Sequence, residues 1–157
     1  MQPLQSHVRD QRLAGYQQGL HTASQPVTIT NIETHSDTAS GFLATQQLLA
    51  QSVHNRPTAI LAMSDAIAFG AMQACEDIGL QIPRDISVIG FDNIAESAAA
   101  SLTTVNQPII EKAILAVEIL IEAKSALEPL AHRREVLETQ LIVRGSTSTP
   151  AFASTGC

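Results

Sequence analysis

Tryptophan is missing from this chain, and one Tyr and four Phe bring aromatics to only 3% of its 157 residues. That scarcity argues against an aromatic-rich β-sandwich. With Ala, Ile, Leu and Val plentiful, it favours helices alternating with buried strands. Two cysteines, Cys75 and Cys157, are too few for a disulfide framework. Basic residues are scarce as well: 9 Lys and Arg against 15 Asp and Glu give a formal charge of −6. Affinity for DNA or RNA is largely phosphate neutralisation by Lys and Arg, so nucleic acid is a poor partner for this chain by itself. The one basic cluster, Arg133-Arg134 beside His132, is bracketed by Glu128, Glu135 and Glu138.

No apolar run approaches the roughly 18 residues of a membrane span. The first residues, Met1 to Gln5, lack the basic and apolar regions of a secretion signal. A cytoplasmic location without a membrane partner is expected. Catalytic templates fail too: there is no G-x-G-x-x-G, P-loop, G-x-S-x-G or H-E-x-x-H motif. His7, His21, His35, His54 and His132 are scattered without ligand spacing, so no metal, no cofactor and no enzymatic activity are expected. The pair Glu76-Asp77 reads as a solvated helix face.

What the chain does contain is regular. Val8–Ala23 reads as a helix with Leu13, Tyr16 and Leu20 along one side, and Val27–Ile32 as an alternating strand. Ser36-Asp37 offers N-caps for a helix carrying Phe42, Leu49 and Val53, which should stop before Asn55-Arg56-Pro57. Ala59–Met63 is an unbroken apolar run, expected as a strand covered on both faces. Ser64 or Asp65 caps the next helix, with Ile67, Ala71, Ala74, Cys75 and Ile78 inward. Gly79 stands at a left-handed C′ position, with Leu80 placed to fold back. Ile86–Phe91 reads as a second buried strand, 95–101 as a small-residue loop, and Leu102–Val105 as a strand.

Pro108 opens the longest amphipathic helix, Ile109 to about Lys124, with the stripe Ile110, Ala113, Ile114, Val117, Leu120 and Ile121. Val136–Val143 alternates as a half-exposed strand, and the chain from Gly145 onward reads as loose. This rhythm predicts an α/β fold, a Rossmann-like parallel sheet flanked by helices with right-handed crossovers. Ligands of such sheets bind outside the carboxyl ends of the strands. Those ends carry Ser64-Asp65, Asp92-Asn93 and Gln107.

Several segments, in order and spacing, resemble the lactose-repressor/galactose-repressor (LacI/GalR) family. They include Arg12-Leu13-Ala14-Gly15-Tyr16, Arg56-Pro57-Thr58-Ala59-Ile60, and Ser64-Asp65 followed by Ala68-Phe69-Gly70-Ala71. The run from Gly79 to Asn93, Leu102 to Pro108, and the closing Leu141-Ile142-Val143-Arg144-Gly145-Ser146-Thr147 complete the set. The resemblance implies a periplasmic-binding-protein-like type I fold, incomplete in this chain. Residues 6–148 would form the C-terminal effector-binding and dimerisation portion and 149–157 a flexible tail. The helix-turn-helix, the first subdomain's sheet and one inner strand of the second subdomain would lie outside it. In the family, the helix matching Ile109–Lys124 sits on the first subdomain.

The resemblance also assigns roles. Arg12, Ser64, Asp92 and Gln107 match effector-binding positions, and Phe69, Met72 and Gln73 match the helix through which two copies pair. The implied partners are a small-molecule effector, a sugar or related compound, and a second copy of the chain. Operator DNA would be met only through the absent N-terminal domain. Each residue also has a plainer reading: Arg12 as a solvent-facing helix residue, Asp92 as a turn former, Gln107 as a hinge. Ser64 stands where many members carry Asn or Asp. Asp65 is read as a helix N-cap, Phe91 as core-facing. A fragment of a periplasmic sugar-binding protein is the alternative, sharing the fold but matching the final R-G-S-T segment less well.

Overall fold

Helices and strands alternate over most of the chain. In residues 7–23, 27–50, 56–125 and 133–149, which the computed structural model describes, the elements run as follows. They are α1 (His7–His21), α2 (Thr38–Leu49), β1 (Ala59–Leu61), α3 (Asp65–Asp77), β2 (Ser87–Asp92), α4 (Ala95–Ala99), β3 (Thr103–Asn106), α5 (Ile109–Ser125) and β4 (Gln140–Ile142). One sheet has the order β1-β2-β3-β4. The first three strands are parallel, with Ile60 opposite Val88 and Gly90 opposite Thr104, and β4 runs antiparallel to β3. The sheet is therefore mixed rather than wholly parallel. Residues 126–139 intervene between α5 and β4, giving the chain length to enter the sheet from its other end.

The core lies between β2, β3 and α3. Val88 and Gly90 alternate with Ile89 and Phe91 along β2, and only the first pair is buried, as the two-residue period of a strand requires. Val88 meets Ala62, Ala68, Ala71 and Leu102 in one cluster, while Leu49, Cys75 and Ile86 form a second. Small residues let α2 cross α3 closely: a Cβ on Gly41 would strike the Ile67 backbone, and one on Gly70 the Thr38 and Phe42 backbones. The helices are capped locally. Asp37 Oδ1 accepts from Ser40 N at 2.8 Å at the start of α2, and Arg56 Nε donates to Leu49 O at 3.2 Å at its end. At the end of α3, Gly79 has φ 76°. Gly79 N donates to Glu76 O and Leu80 N to Cys75 O, each at 2.9 Å, the paired bonds of a left-handed helix terminus.

Burial pushes the Cys75 thiol up to about 11, with the charge of Glu76 adding to it. The unfolded thiol loses its proton near 8.5, before the folded one does. The unfolded chain therefore binds fewer protons between those values, and stability falls with rising pH. Urea midpoints are expected to drop from about pH 9 to pH 11, and a Cys75→Ala variant should lose that part of the slope.

Several expectations change. Val27–Ile32 forms no strand; it is an extended, largely exposed segment. A strand needs a neighbouring edge, and among the described residues nothing pairs with the outer edge of β1. β1, the outermost strand among the described residues, is also not covered on both faces: Ala59 is exposed, and Ile60 and Leu61 are half-buried. Residues 95–99 are helical, not loop, and β4 spans only Gln140–Ile142 of the expected longer strand. Ile78 caps α3 and is exposed rather than inward. The segment after Gly145 is bound down at first: Ser146 Oγ donates to Val88 O at 2.6 Å and accepts from Thr103 N at 2.8 Å. The expectations for Val53, His54, Asn55, Glu128, His132 and the tail from Pro150 to Cys157 lie outside the described residues.

Among the described residues neither α1 nor α5 has a buried position. The stripe of α5 is bare, with Ile110 74%, Leu120 68% and Ile121 62% exposed. No described helix is long and apolar enough to cross a membrane.

Candidate effector site

The carboxyl ends of β2 and β3 meet α1 in one polar cluster. Arg12 reaches across from α1 and donates to Met63 O, just past β1. Its guanidinium carbon sits 3.6 Å from the centroid of the Phe91 ring, a cation–π arrangement worth about 0.5–2 kcal/mol. Another guanidinium nitrogen stands 3.8 Å from Asp92 Oδ1. That same oxygen accepts from Gln107 Nε2 at 2.6 Å. Arg12, Asp92 and Gln107 thus come together although 80 and 15 residues separate them in turn.

Asp92 is a bond acceptor with capacity left over. Among the described residues its Oδ2 makes no hydrogen bond, and the side chain is 28% exposed. A carboxylate flanked by a guanidinium and a carboxamide presents acceptors and donors side by side. That arrangement matches adjacent hydroxyls on a small polar ligand, which must give and take hydrogen bonds at once. Asp92 and Asn93 have φ of 115° and 56°, in the left-handed region where non-glycine residues cost about 1–3 kcal/mol. Asn93 is pinned from two sides: its Nδ2 donates to Asn106 Oδ1 at 2.9 Å, and Arg144 donates to its Oδ1 at 2.8 Å.

Ser64 is placed differently. It is the N-cap of α3, with Oγ accepting from Ile67 N at 3.3 Å and from Ser36 Oγ at 3.1 Å. The cap is therefore Ser64 and not Asp65, which is fully buried and bonded elsewhere. Ser64 adjoins Met63, whose carbonyl holds Arg12, but its hydrogen bonds go to Ser36 and Ile67 and not to Asp92. Of the three residues on α3 matched to pairing, Phe69 and Met72 are half-buried against the core and Gln73 is exposed.

Sequence reasoning missed Phe91 as the support for Arg12, taking it as core-facing. Strand parity could have found it, since buried Val88 and Gly90 put Phe91 on the opposite face. Asn106 and Ser36 were also missed at the site, while Asn93 was read only as part of the polar strand end; no sequence signal beyond their place at element ends marks them. No group of His, Cys, Asp and Glu suited to a metal occurs among the described residues. A cavity of about 510 Å³ lined by Met72, Gln81, Ala100, Ser101 and Gly145 lies elsewhere, at the opposite ends of the strands.

A family model described as a periplasmic binding protein-like domain matches residues 3–147. The chain belongs to that family. Its LacI/GalR character holds as well, in its relatives and in their folds. It is 40% identical to the ribose operon repressor of Haemophilus influenzae over 149 residues, 91% of this chain and 43% of that protein. It is 33% identical to the transcriptional repressor PurR of Edwardsiella ictaluri, over 96% of this chain and 44% of that one. The dimeric Lac repressor with an 11-residue C-terminal deletion superposes with a TM-score of 0.79 at 31% identity, covering 94% of this chain and 53% of that one. A LacI-family regulator from Enterococcus faecium with bound ribose gives 0.76 at 28% identity, covering 90% and 52%. The chain spans about half the length of the relatives it matches. Three of these relatives are named repressors and the fourth a LacI-family transcriptional regulator, so the transport-protein alternative is not favoured.

Proposed function

We propose that this chain is the C-terminal portion of an effector-sensing domain in a LacI-type transcriptional repressor. The observation that carries this reading is the meeting of Arg12, Asp92 and Gln107 at the carboxyl end of the sheet. The effector is a small polar molecule, a sugar, and Ser64 lines the edge of its site. Residues 6–148 are the sensing and dimerising unit and 149–157 its tail. In the parent protein two copies pair through the helix bearing Phe69, Met72 and Gln73, whereas this chain by itself also bares the α5 stripe. The parent protein works in the cytoplasm, without catalysing a reaction. It meets operator DNA through a segment that this chain does not contain. Similarity to a ribose operon repressor and to ribose-bound regulators supports the sugar class.

Pockets for small ligands bury most of the ligand surface, and these polar groups cover one side only. Calorimetry of the chain with a panel of sugars and nucleosides is expected to give no affinity tighter than about 1 mM. Micromolar binding would contradict a site divided between two halves. A DNA titration at low salt is expected to show no sequence-specific, sub-micromolar binding. Finding such binding would contradict the placement of operator contacts outside this chain.

A further inference from the structure

We propose that Asp65 is a positioning residue for the effector site, whose buried carboxyl group holds the turn that presents Asp92 and Asn93. This rests on the reading of that site given above. Asp65 occupies the first position of α3, where Ser64 already caps the helix. The Asp65 side chain is spent on another element instead. Its Oδ2 accepts from Ile94 N at 3.0 Å and from Ser97 Oγ at 2.6 Å, and its Oδ1 accepts from Thr104 Oγ1 at 2.6 Å. Thr104 Oγ1 in turn accepts from Asn93 N at 3.4 Å. One fully buried carboxyl group thereby ties α3 to the start of α4 and to β3, at sequence separations of 29, 32 and 39.

The tied segment is the one that carries the site. Asp92 and Asn93 both have positive φ, a conformation that persists in non-glycine residues only when the surroundings enforce it. Asp65 bonds the backbone immediately after that pair and, through Thr104, the backbone of Asn93 itself. Arg144 holds the same turn by the Asn93 side chain and does not bond its backbone. Gly90 makes the reach possible: a Cβ there would overlap Asp65 Oδ1. Without these bonds the turn is free to leave the left-handed region, which swings the Asp92 carboxylate away from Gln107 and Arg12. A carboxyl group is suited to this role because both oxygens accept; an amide of the same shape offers one acceptor and a donor that Thr104 must turn to meet.

The test is residue-resolved amide hydrogen exchange on the whole chain, with Asp65→Asn compared against the unsubstituted protein. Exchange at Asn93, Ile94 and Ser97 is expected to quicken at least about ten-fold, while amides in α2 and in the second half of α3 change little. The Arg12 side-chain signals are expected to move as well, since they sit over the Phe91 ring. Should Asp65→Asn fail to fold, Ser97→Ala removes one of the three bonds, and exchange at Ile94 should then quicken several-fold. Uniform acceleration across the molecule would make Asp65 a stabilising residue only and overturn the proposal. Unchanged exchange at Ile94 in the folded variant would overturn it too. Neither readout uses a ligand, so failure here is distinct from failure of the effector assignment.

Discussion

Replacing Gly70 with alanine is expected to lower stability by about 3 kcal/mol or more, at the upper end of what overpacking a close contact costs. The added methyl group would lie against the Thr38 carbonyl and the Phe42 amide of α2. Both are helix backbone atoms, so they can give way only by moving α2 as a unit. Gly41 faces the same crossing from the other side, against the Ile67 backbone, and its alanine variant should behave alike. Because domains are stable by only about 5–15 kcal/mol, either change removes a large part of the total. Gly15→Ala is the control, with nothing within 4 Å of its Cβ on α1; it should stabilise by up to about 1 kcal/mol through helix propensity. Urea unfolding followed by circular dichroism measures all three. A loss below about 1 kcal/mol for Gly70→Ala would mean that α2 and α3 do not cross this closely.

The chain is also expected to self-associate at micromolar concentration. Ile109, Ile110, Ile114, Val117, Leu120 and Ile121 are each 52–74% exposed on α5. Six such side chains present roughly 600 Å² of apolar surface, close to the ~800 Å² that each partner contributes to a stable interface. Among the described residues nothing pairs with the outer edge of β1, and an open edge invites another strand. The helix bearing Phe69, Met72 and Gln73 offers less apolar area, because Phe69 and Met72 already pack against the core. Sedimentation velocity is expected to show dimers or larger species. The double change Ile110→Glu and Ile121→Glu should shift the chain toward monomer. Gln73→Lys reports on α3 without touching the core, since Gln73 is exposed. If Gln73→Lys dissociates the chain and the α5 changes do not, association runs through α3. A monomer in every case would contradict self-association.

The elements most legible in the sequence are those whose signal is local. Gly79 and Leu80 mark the end of α3 because a left-handed terminus needs glycine and an apolar residue after it. The α5 stripe is visible because helical spacing needs no partner to be recognised. Expectations failed where pairing or parity decides. Val27–Ile32 has the β-branched composition of a strand, yet composition supplies no neighbouring edge, and the segment is unpaired among the described residues. The run Ala95–Ala99 has no apolar period to betray a helix, and Ser97 is held there by Asp65 from 32 residues away. In the site, chemistry at strand ends drew attention to Asp92 and Gln107, and family resemblance to Arg12. No pattern in sequence places Arg12 on Phe91 or binds Asp65 to the turn, since both depend on long-range packing.

The effector-half account is tested most directly by residue-resolved titration of the chain with a panel of simple sugars, D-ribose among them, into the millimolar range. The account predicts weak, saturable shifts confined to Arg12, Ser64, Asp92, Asn93 and Gln107, and their loss in Asp92→Ala. No shift at these residues, or shifts centred on Met72, Gln81 and Ser101 that survive Asp92→Ala, would contradict it.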